Sequence, residues 1–549
     1  MVFIFGIVFM HLHAWNSHVI PYCKLDEPVS MAISTHQSNR HLKELVLELH
    51  NSGGLKLKGQ LLLANRQLIE TYKKNNFQPL WLNERNRQDL LFIVTHAYYD
   101  GLNPEDYHAD YIRQNVIKYR GRYNDPYHIA VADIIMSDAL LTYRTHLING
   151  KLDQTSLQPM WSDTNAVVKD ELLHSLQHHL RNTSLSHWMN NARPHLKRYE
   201  ELKSLFARYD SIHKGGGHLE KLKYPGSSLK PGDSIPEVSE LKKHLIANAY
   251  SSLDTTAFFN GELEEAIKDV QILNGIEADG VAGKETYRAI NITIKERLDI
   301  LRVNMERLRW LNNQLPEDYL IVNIASFYLH LVRNDTINHY CRVVVGKDHK
   351  QTPTFRANVS YIVFNPTWHI PYSIVSQEIL PKLKQDDNFL KDRNMILYQN
   401  NTPIDPAKVD FTQYSSHNFP YAIVQQPGSR NALGKVKFMF ASPYAIYLHD
   451  TPSKSLFNRS ERAFSHGCIR VEKPFVLAKL LLNDPYYDLQ RINKIVESET
   501  TQTIHLKERI PIILIYMTCD DNKNDGRISF YKDIYGRDKR LLEALESKR

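Results

Sequence analysis

The chain has 549 residues, 42% of them hydrophobic and 23% charged, which is ordinary globular composition and too long for one core, so about three domains are expected. The net charge of +7 is a mild excess of 68 basic over 61 acidic residues, and no basic cluster interleaved with aromatics points to nucleic acid. Four widely spaced cysteines, Cys23, Cys341, Cys468 and Cys519, argue against a disulfide framework.

Met1 to Trp15 is strongly apolar but shorter than the roughly 20 residues needed to span a bilayer. It is read as a degenerate signal or anchor, since no basic residue precedes it and no A-x-A site follows. From His41 to Ile212 the pattern is mostly helical. Val131, Ile135, Ala139, Tyr143 and Leu147 recur every fourth residue, predicting one apolar helix face, and Gly150 supplies a stop. Gly215-Gly216-Gly217 through Gly226-Ser227-Ser228 reads as a linker. Beyond it, Leu241 and Leu245, then Ala266 to Gln271, then Thr286 to Asn291 predict three short helices, separated by the turns of Asn274 to Gly283. Leu298, Leu301, Met305 and Leu308 predict a connecting helix ending near Leu311, stopped by Asn312-Asn313.

The pattern then changes to strands: Tyr319 to Leu331, Cys341 to Val345, Tyr361 to Phe364, Val436 to Phe440, Tyr444 to Leu448 and Pro511 to Tyr516. Between Ile374 and Gln426 lies an insertion. Its start, Gln377 to Leu383, is expected to be helical in part despite Pro381, and the remainder to be polar and loop-like, which suits a lid.

One stretch carries chemistry: His449-Asp450, then Ser465-His466-Gly467-Cys468 with Arg470. A cysteine is strongly nucleophilic only as thiolate, and a nearby imidazole is the usual means of forming it. Cys468 is therefore read as nucleophile and His449 as general base. Gly467 permits a sharp turn, and the backbone amides of His466, Gly467 and Cys468 are candidates for an oxyanion hole. Arg470, two residues on, would share the face of Cys468 in an extended segment and could bind a carboxylate through its fork. On the residues alone a structural cysteine, or a zinc site from His449, His466 and Cys468, also stays open.

This signature resembles that of the L,D-transpeptidases, the YkuD-type catalytic domain, in its large multi-domain members. Phe77 to Trp81 and Gly101 to Tyr107 are similar to their N-terminal scaffold domain. The turns of Asn274 to Gly283 followed by Thr286 resemble a three-helix peptidoglycan-binding domain. Val345-Gly346, Thr352-Pro353, Asn365 to Trp368 and Gly428 to Gly434 look like the catalytic framework, and Asp533 to Asp538 like its C-terminal region. The resemblance implies a multidomain α+β chain: a signal or anchor segment over 1–23, a helical scaffold over 24–228, a peptidoglycan-binding-like domain over 229–296, a connecting helix over 297–315, a β-rich catalytic domain over 316–519 with a lid at about 375–425, and a tail over 520–549.

It further implies cross-linking of peptidoglycan through a cysteine acyl-enzyme, passed from a tetrapeptide stem to an amine on a neighbouring stem, with acylation by carbapenems. Arg470, Ser465, Tyr447 and Trp368 become candidates for substrate binding. The implied partners are peptidoglycan stem peptides and glycan, near the inner membrane and other cell-wall enzymes. The implied location is the periplasm, with neither cofactor nor metal required. A cysteine hydrolase and a non-catalytic wall-binding protein remain the competing readings, because the acyl-enzyme half-reaction is common to the two enzymes and fold alone does not give function.

Overall fold

The computed structural model describes residues 29–117, 125–157, 171–182, 184–216, 220–247, 252–311, 315–442, 444–521 and 526–547. The apolar leader, Cys23 and the Asn312-Asn313 stop lie outside the described residues. Among the described residues no helix is long and apolar enough to cross a membrane.

The N-terminal region is helical: α1 (Val29–Ser52), α2 (Asn65–Lys74), α3 (Glu84–Thr95), α4 (Pro126–Asn149) and α5 (Lys197–Lys214). Helix α4 is the expected Val131-to-Leu147 helix, but it is buried all round rather than on one face. Asp133 within it accepts from the Leu80 and Trp81 N–H groups and from the Tyr72 hydroxyl. Burial pushes its carboxyl up to about 6 even so. The Phe77-to-Trp81 punctuation is thus a segment stapled to the central helix.

Three helices follow: α6 (Pro236–Ala247), α7 (Gly261–Leu273) and α8 (Lys284–Ile290). The Asp-Gly turn between the last two is held by Gln271, whose amide donates to Asp279 and whose carbonyl accepts from Gly280 N–H. The connecting helix α9 (Ile294–Leu311) then runs between domains. Its Leu298, Leu301, Met305 and Leu308 form one apolar cluster with Tyr199, Leu202 and Phe206 of α5 and with Tyr319, Ile321, Ile513 and Ile515 of the β domain. Scaffold and β domain therefore share a continuous core through this helix.

The β domain contains β1 (Asp318–Asn323), β2 (Tyr328–Arg333), β3 (Thr336–Gly346), β4 (Phe355–Phe364), then β5 (Trp368–His369), β6 (Met395–Gln399), β7 (Thr402–Ile404) and β8 (Ala422–Gln425) in the insertion. It continues with β9 (Val436–Phe440), β10 (Leu448–His449), β11 (Ala463–Ser465), β12 (Ile469–Val471) and β13 (Gln502–Ile515). The main sheet runs β11-β3-β12-β10-β9-β4-β13-β1-β2, and β2 pairs again with β3. Eight of these nine strands therefore form a closed ring with β11 appended to β3. Val343, Val345, Ile362, Phe364, Phe438, Leu448, Ile469, Val471, Ile512 and Leu514 fill its interior. Alternation along the strands turns Lys437, His449 and Arg470 the other way.

Two expectations are corrected here. Tyr444 to Leu448 is not one strand: Ala445 takes a left-handed backbone (φ 51°), and only Leu448–His449 is extended. Apolar content predicted a strand; the turn needed to bring this segment over the nucleophile prevents it. The insertion is not a structureless loop either. After a helical stretch from Tyr372 to Leu383 it forms a four-stranded antiparallel sheet, β5-β8-β6-β7, over its own core of Ile379, Leu383, Phe389, Leu397, Phe411 and Ile423. Widely spaced single apolar residues, separated by polar turns, supply that core.

Candidate active site

The sheet brings the signature together. Strand β10 pairs parallel with β12, setting Leu448 beside Ile469 and His449 beside Arg470. The Ile469 N–H donates to the Tyr447 carbonyl (3.1 Å), so Cys468 lies at the edge of this pairing, next to Tyr447. Gly467 has φ 115°, a conformation that a side chain would strain, and a Cβ there would come within 3.2 Å of Ile446 Cδ1. The turn lies immediately before Cys468, and the charge of Arg470, two residues on, bears on the thiol.

His449 is 4% exposed. Its Nδ1 lies 2.5 Å from the Asp450 carbonyl oxygen. A carbonyl only accepts, so Nδ1 carries the proton and Nε2 presents a lone pair. Burial, then the charges of Arg470 and Lys437, depress its pKa to about 3, against which the Asp450 and Leu433 carbonyls work. The imidazole is therefore neutral at physiological pH. The Asp450 carboxylate plays no part in this: it accepts from the Lys435 N–H (2.8 Å) and pairs with Lys454. A Cβ on Gly434 (φ 62°) would lie 2.6 Å from Asp450 Cβ, so the glycine makes room for this arrangement.

Cys468 is half-buried, and its Sγ makes a long contact to the Ala445 carbonyl (3.9 Å) rather than to His449. Burial raises its pKa, while hydrogen bonds from Tyr447 and the charges of Lys437 and Arg470 favour the thiolate. Catalytic hydrogen bonds without substrate are often long, so this spacing is compatible with proton transfer on binding. The other described thiols differ: burial pushes Cys341 up to about 12 and Cys519 well above its ordinary value.

The remaining expected residues divide. Tyr447 is half-buried beside Cys468, with the Trp368 indole N–H donating to its hydroxyl. Trp368, on β5, lines a cleft of about 500 Å³ with Ile374, Glu378, Lys382, Phe389 and Arg393 of the insertion. His466 Nε2 pairs with Glu378, tying the nucleophile loop to the insertion; Glu378 also lies 3.6 Å from Lys350 Nζ. Ser465 is corrected. It is 2% exposed, donates to the Cys468 carbonyl (2.5 Å) and accepts from Gly467 N–H (3.1 Å), so it shapes the loop and is not available to substrate. The same bond withdraws the Gly467 N–H from the oxyanion candidates and leaves the amides of His466 and Cys468.

Sequence reasoning gave no role at the site to four contributors. Lys437 sits opposite His449 on β9 with its ammonium 3.9 Å from the Tyr447 ring centroid. Its only signal was a lysine at an outward slot of an otherwise apolar strand. Thr352 donates to the Gly467 carbonyl (2.8 Å) and accepts from Gly346 N–H (2.9 Å). Tyr535, from the C-terminal Asp533-to-Asp538 segment, donates to Gly346 O (2.6 Å) and accepts from Thr352 N–H (3.2 Å). Arg537 adds bonds to Gln351 and the Thr352 carbonyl. The tail thus braces the loop that holds the nucleophile. Among the described residues no group of three or more His, Cys, Asp or Glu is placed to hold a metal ion.

The closed β ring thus carries an outward histidine and a cysteine on a glycine turn, with a folded insertion tied to the cysteine loop through His466 and Glu378. Residues 317–501 match the L,D-transpeptidase catalytic domain (YkuD), 66–205 the scaffold domain, and 234–290 the domain described as "Putative peptidoglycan binding domain". The chain therefore carries an L,D-transpeptidase-type catalytic domain preceded by scaffold and peptidoglycan-binding-type domains. A protein of Haemophilus influenzae named "Putative L,D-transpeptidase" is 36% identical over 259 residues, covering 47% of this chain and 50% of that protein. The chain thus spans about half the length of the curated relative it matches. An L,D-transpeptidase structure from Xylanimonas cellulosilytica is 12% identical, covers 53% of this chain and all of its own, and has a TM-score of 0.18. One from Stackebrandtia nassauensis is 13% identical, covers 54% of this chain and 97% of its own, with a TM-score of 0.19.

Proposed function

We propose that this protein is an L,D-transpeptidase that cross-links peptidoglycan stems through an acyl-enzyme on Cys468. The observation that supports this reading most is the fixed Nδ1–H tautomer of a neutral His449, one residue pair from Arg470 and beside the loop of Cys468. Its Nε2 takes the thiol proton as Sγ attacks the carbonyl preceding the terminal D-alanine of a tetrapeptide stem. The tetrahedral oxyanion is held by the His466 and Cys468 amides. When the C–N bond breaks, the imidazolium returns its proton to the departing amine. In the second half, an amine of a neighbouring stem attacks the thioester and gives its proton to His449; the C–S bond breaks, the cross-linked peptide leaves, and the imidazolium returns the proton to the Cys468 thiolate. His449 is neutral in the resting site and so free to accept a proton, and the thiolate that forms beside it supplies the negative charge that stabilises the imidazolium during the step. Tyr447, Lys437 and Arg470 supply the electrostatics that favour thiolate.

Stem peptides and glycan are the partners this reading requires, and the nature of that polymer sets the location in the periplasm or cell envelope. Carbapenems, whose strained ring presents an acyl centre, would acylate the same sulfur. The test is to incubate the full chain with disaccharide-tetrapeptide and identify products by mass spectrometry. Cross-linked dimers support the proposal. Tripeptides alone mean a hydrolase, and no change means a wall-binding protein; either overturns it.

A further inference from the structure

Lys437, His449 and Arg470 form one rung across three adjacent strands. Lys437 pairs with His449 across antiparallel β9 and β10, and His449 with Arg470 across parallel β10 and β12. Their sequence neighbours Phe438, Leu448 and Ile469 point into the ring, so the three side chains share its outer face. That rung reads cation, imidazole, cation. Both cations are half-buried. Lys437 rests over the Tyr447 ring, and Arg470 Nε is buried with no hydrogen-bond partner among the described residues.

The acids nearby are spent elsewhere. Asp450 serves Lys435 N–H and Lys454, Glu472 serves the Arg342 N–H, and Glu378 serves His466 and Lys350. Neither Lys437 nor Arg470 has a carboxylate within 4.0 Å among the described residues. Partly burying a cation without a counter-ion costs free energy, and such a cost is expected to persist where a ligand supplies the missing charge. Both charges also bear on Cys468 and His449, as the depressed imidazole shows, so the anion they await lies at the reacting centre.

We infer that Lys437, together with Arg470, binds a carboxylate of the acyl donor and makes the site selective for donors with a free carboxylate next to the scissile bond. This rests on the acyl-transfer reading, in which the departing residue carries such a group. An ammonium offers a point charge and the guanidinium a fork, so the pair can grip one carboxylate from two sides.

The test compares alkylation of Cys468 by anionic iodoacetate and neutral iodoacetamide, mapped by peptide mass spectrometry and normalised to free cysteine. It needs no transpeptidation, so its failure is distinguishable from failure of the product assay. The wild-type protein should prefer iodoacetate relative to free cysteine. Lys437→Gln should lower that preference by about tenfold or more, the order of one charge-assisted hydrogen bond, and Lys437→Arg should restore most of it. A wild-type ratio no higher than that of free cysteine would overturn the inference without any variant. So would Lys437→Gln slowing both reagents by the same factor, which would leave Lys437 its effect on the thiolate and no part in recognising a carboxylate.

Discussion

His449 is held neutral by burial, and that has a measurable cost in acid. An unfolded histidine titrates near 6.5, whereas this one is depressed to about 3. Between these values the unfolded chain binds the extra proton, so stability rises with pH and is lost as pH falls below about 6.5. At pH 4.5 the gap is about two pH units, or about 3 kcal/mol, of an order-of-magnitude total near 5 kcal/mol once pH reaches 3. The assay is urea unfolding at pH 7.5 and 4.5 in the wild type and in His449→Gln. Every other titrating group is shared by the two proteins and cancels in the difference. The wild type should lose about 3 kcal/mol more than the variant over this interval. Equal losses, or an imidazole signal of His449 titrating by NMR between 6 and 7, would refute the argument that burial and the flanking cations keep the ring uncharged.

Cys468→Ser should abolish cross-linked product while leaving the melting curve in place, since a hydroxyl lies far above a thiol in pKa; retained activity with the mass verified would remove Cys468 from the mechanism. A carbapenem should give one covalent adduct on the peptide holding Cys468, and an adduct on buried Cys341 or Cys519 would contradict the assignment. Tyr535→Phe leaves Gly346 O and Thr352 N–H without their bonds, at a cost of about 2–4 kcal/mol, and should slow iodoacetamide at Cys468; a destabilised protein with unchanged thiol reactivity would sever the tail from the site. Glu378→Gln frees His466 from the insertion and should raise KM while costing under about 1 kcal/mol of stability, because the pair is partly exposed; a large fall in Tm with KM unchanged would make the contact structural only.

Periodicity carried much of this fold. The four-residue spacing from Val131 to Leu147 found the central helix, and Leu298 to Leu308 found the connecting one. What it missed was context. A helix buried on every side has polar residues such as Asp133 satisfied by distant backbone, which no local pattern encodes. The strand expected at Tyr444 to Leu448 failed because Ala445 takes a left-handed backbone, at a cost of about 1–2 kcal/mol that composition does not reveal. The insertion concealed a core because its apolar residues come singly between turns. At the site, the cysteine and histidine were legible because thiolate chemistry needs both in a rigid frame. Ser465 looked like a substrate contact because it adjoins them, and only its two hydrogen bonds reveal a loop brace. Lys437 and Tyr535 lie 31 residues before and 67 after Cys468, and strand pairing and the tail's return bring them near.

The closed ring imposes an order of events on folding. Strand β13 pairs with both β1 and β4, joining Ile512 to Leu320 and Leu514 to Phe355. Until residue 515 has been synthesised, the ring lacks a wall between its first and fourth strands, although His449 and Cys468 have already emerged. Such distant pairings carry the full entropy of loop closure before any contact rewards it, so this domain is a slow, late folder. The surroundings of the thiol are therefore complete only once β13 has paired on both sides. A fragment cut at residue 501, where the catalytic-domain match stops, would keep every signature residue and lose that pairing.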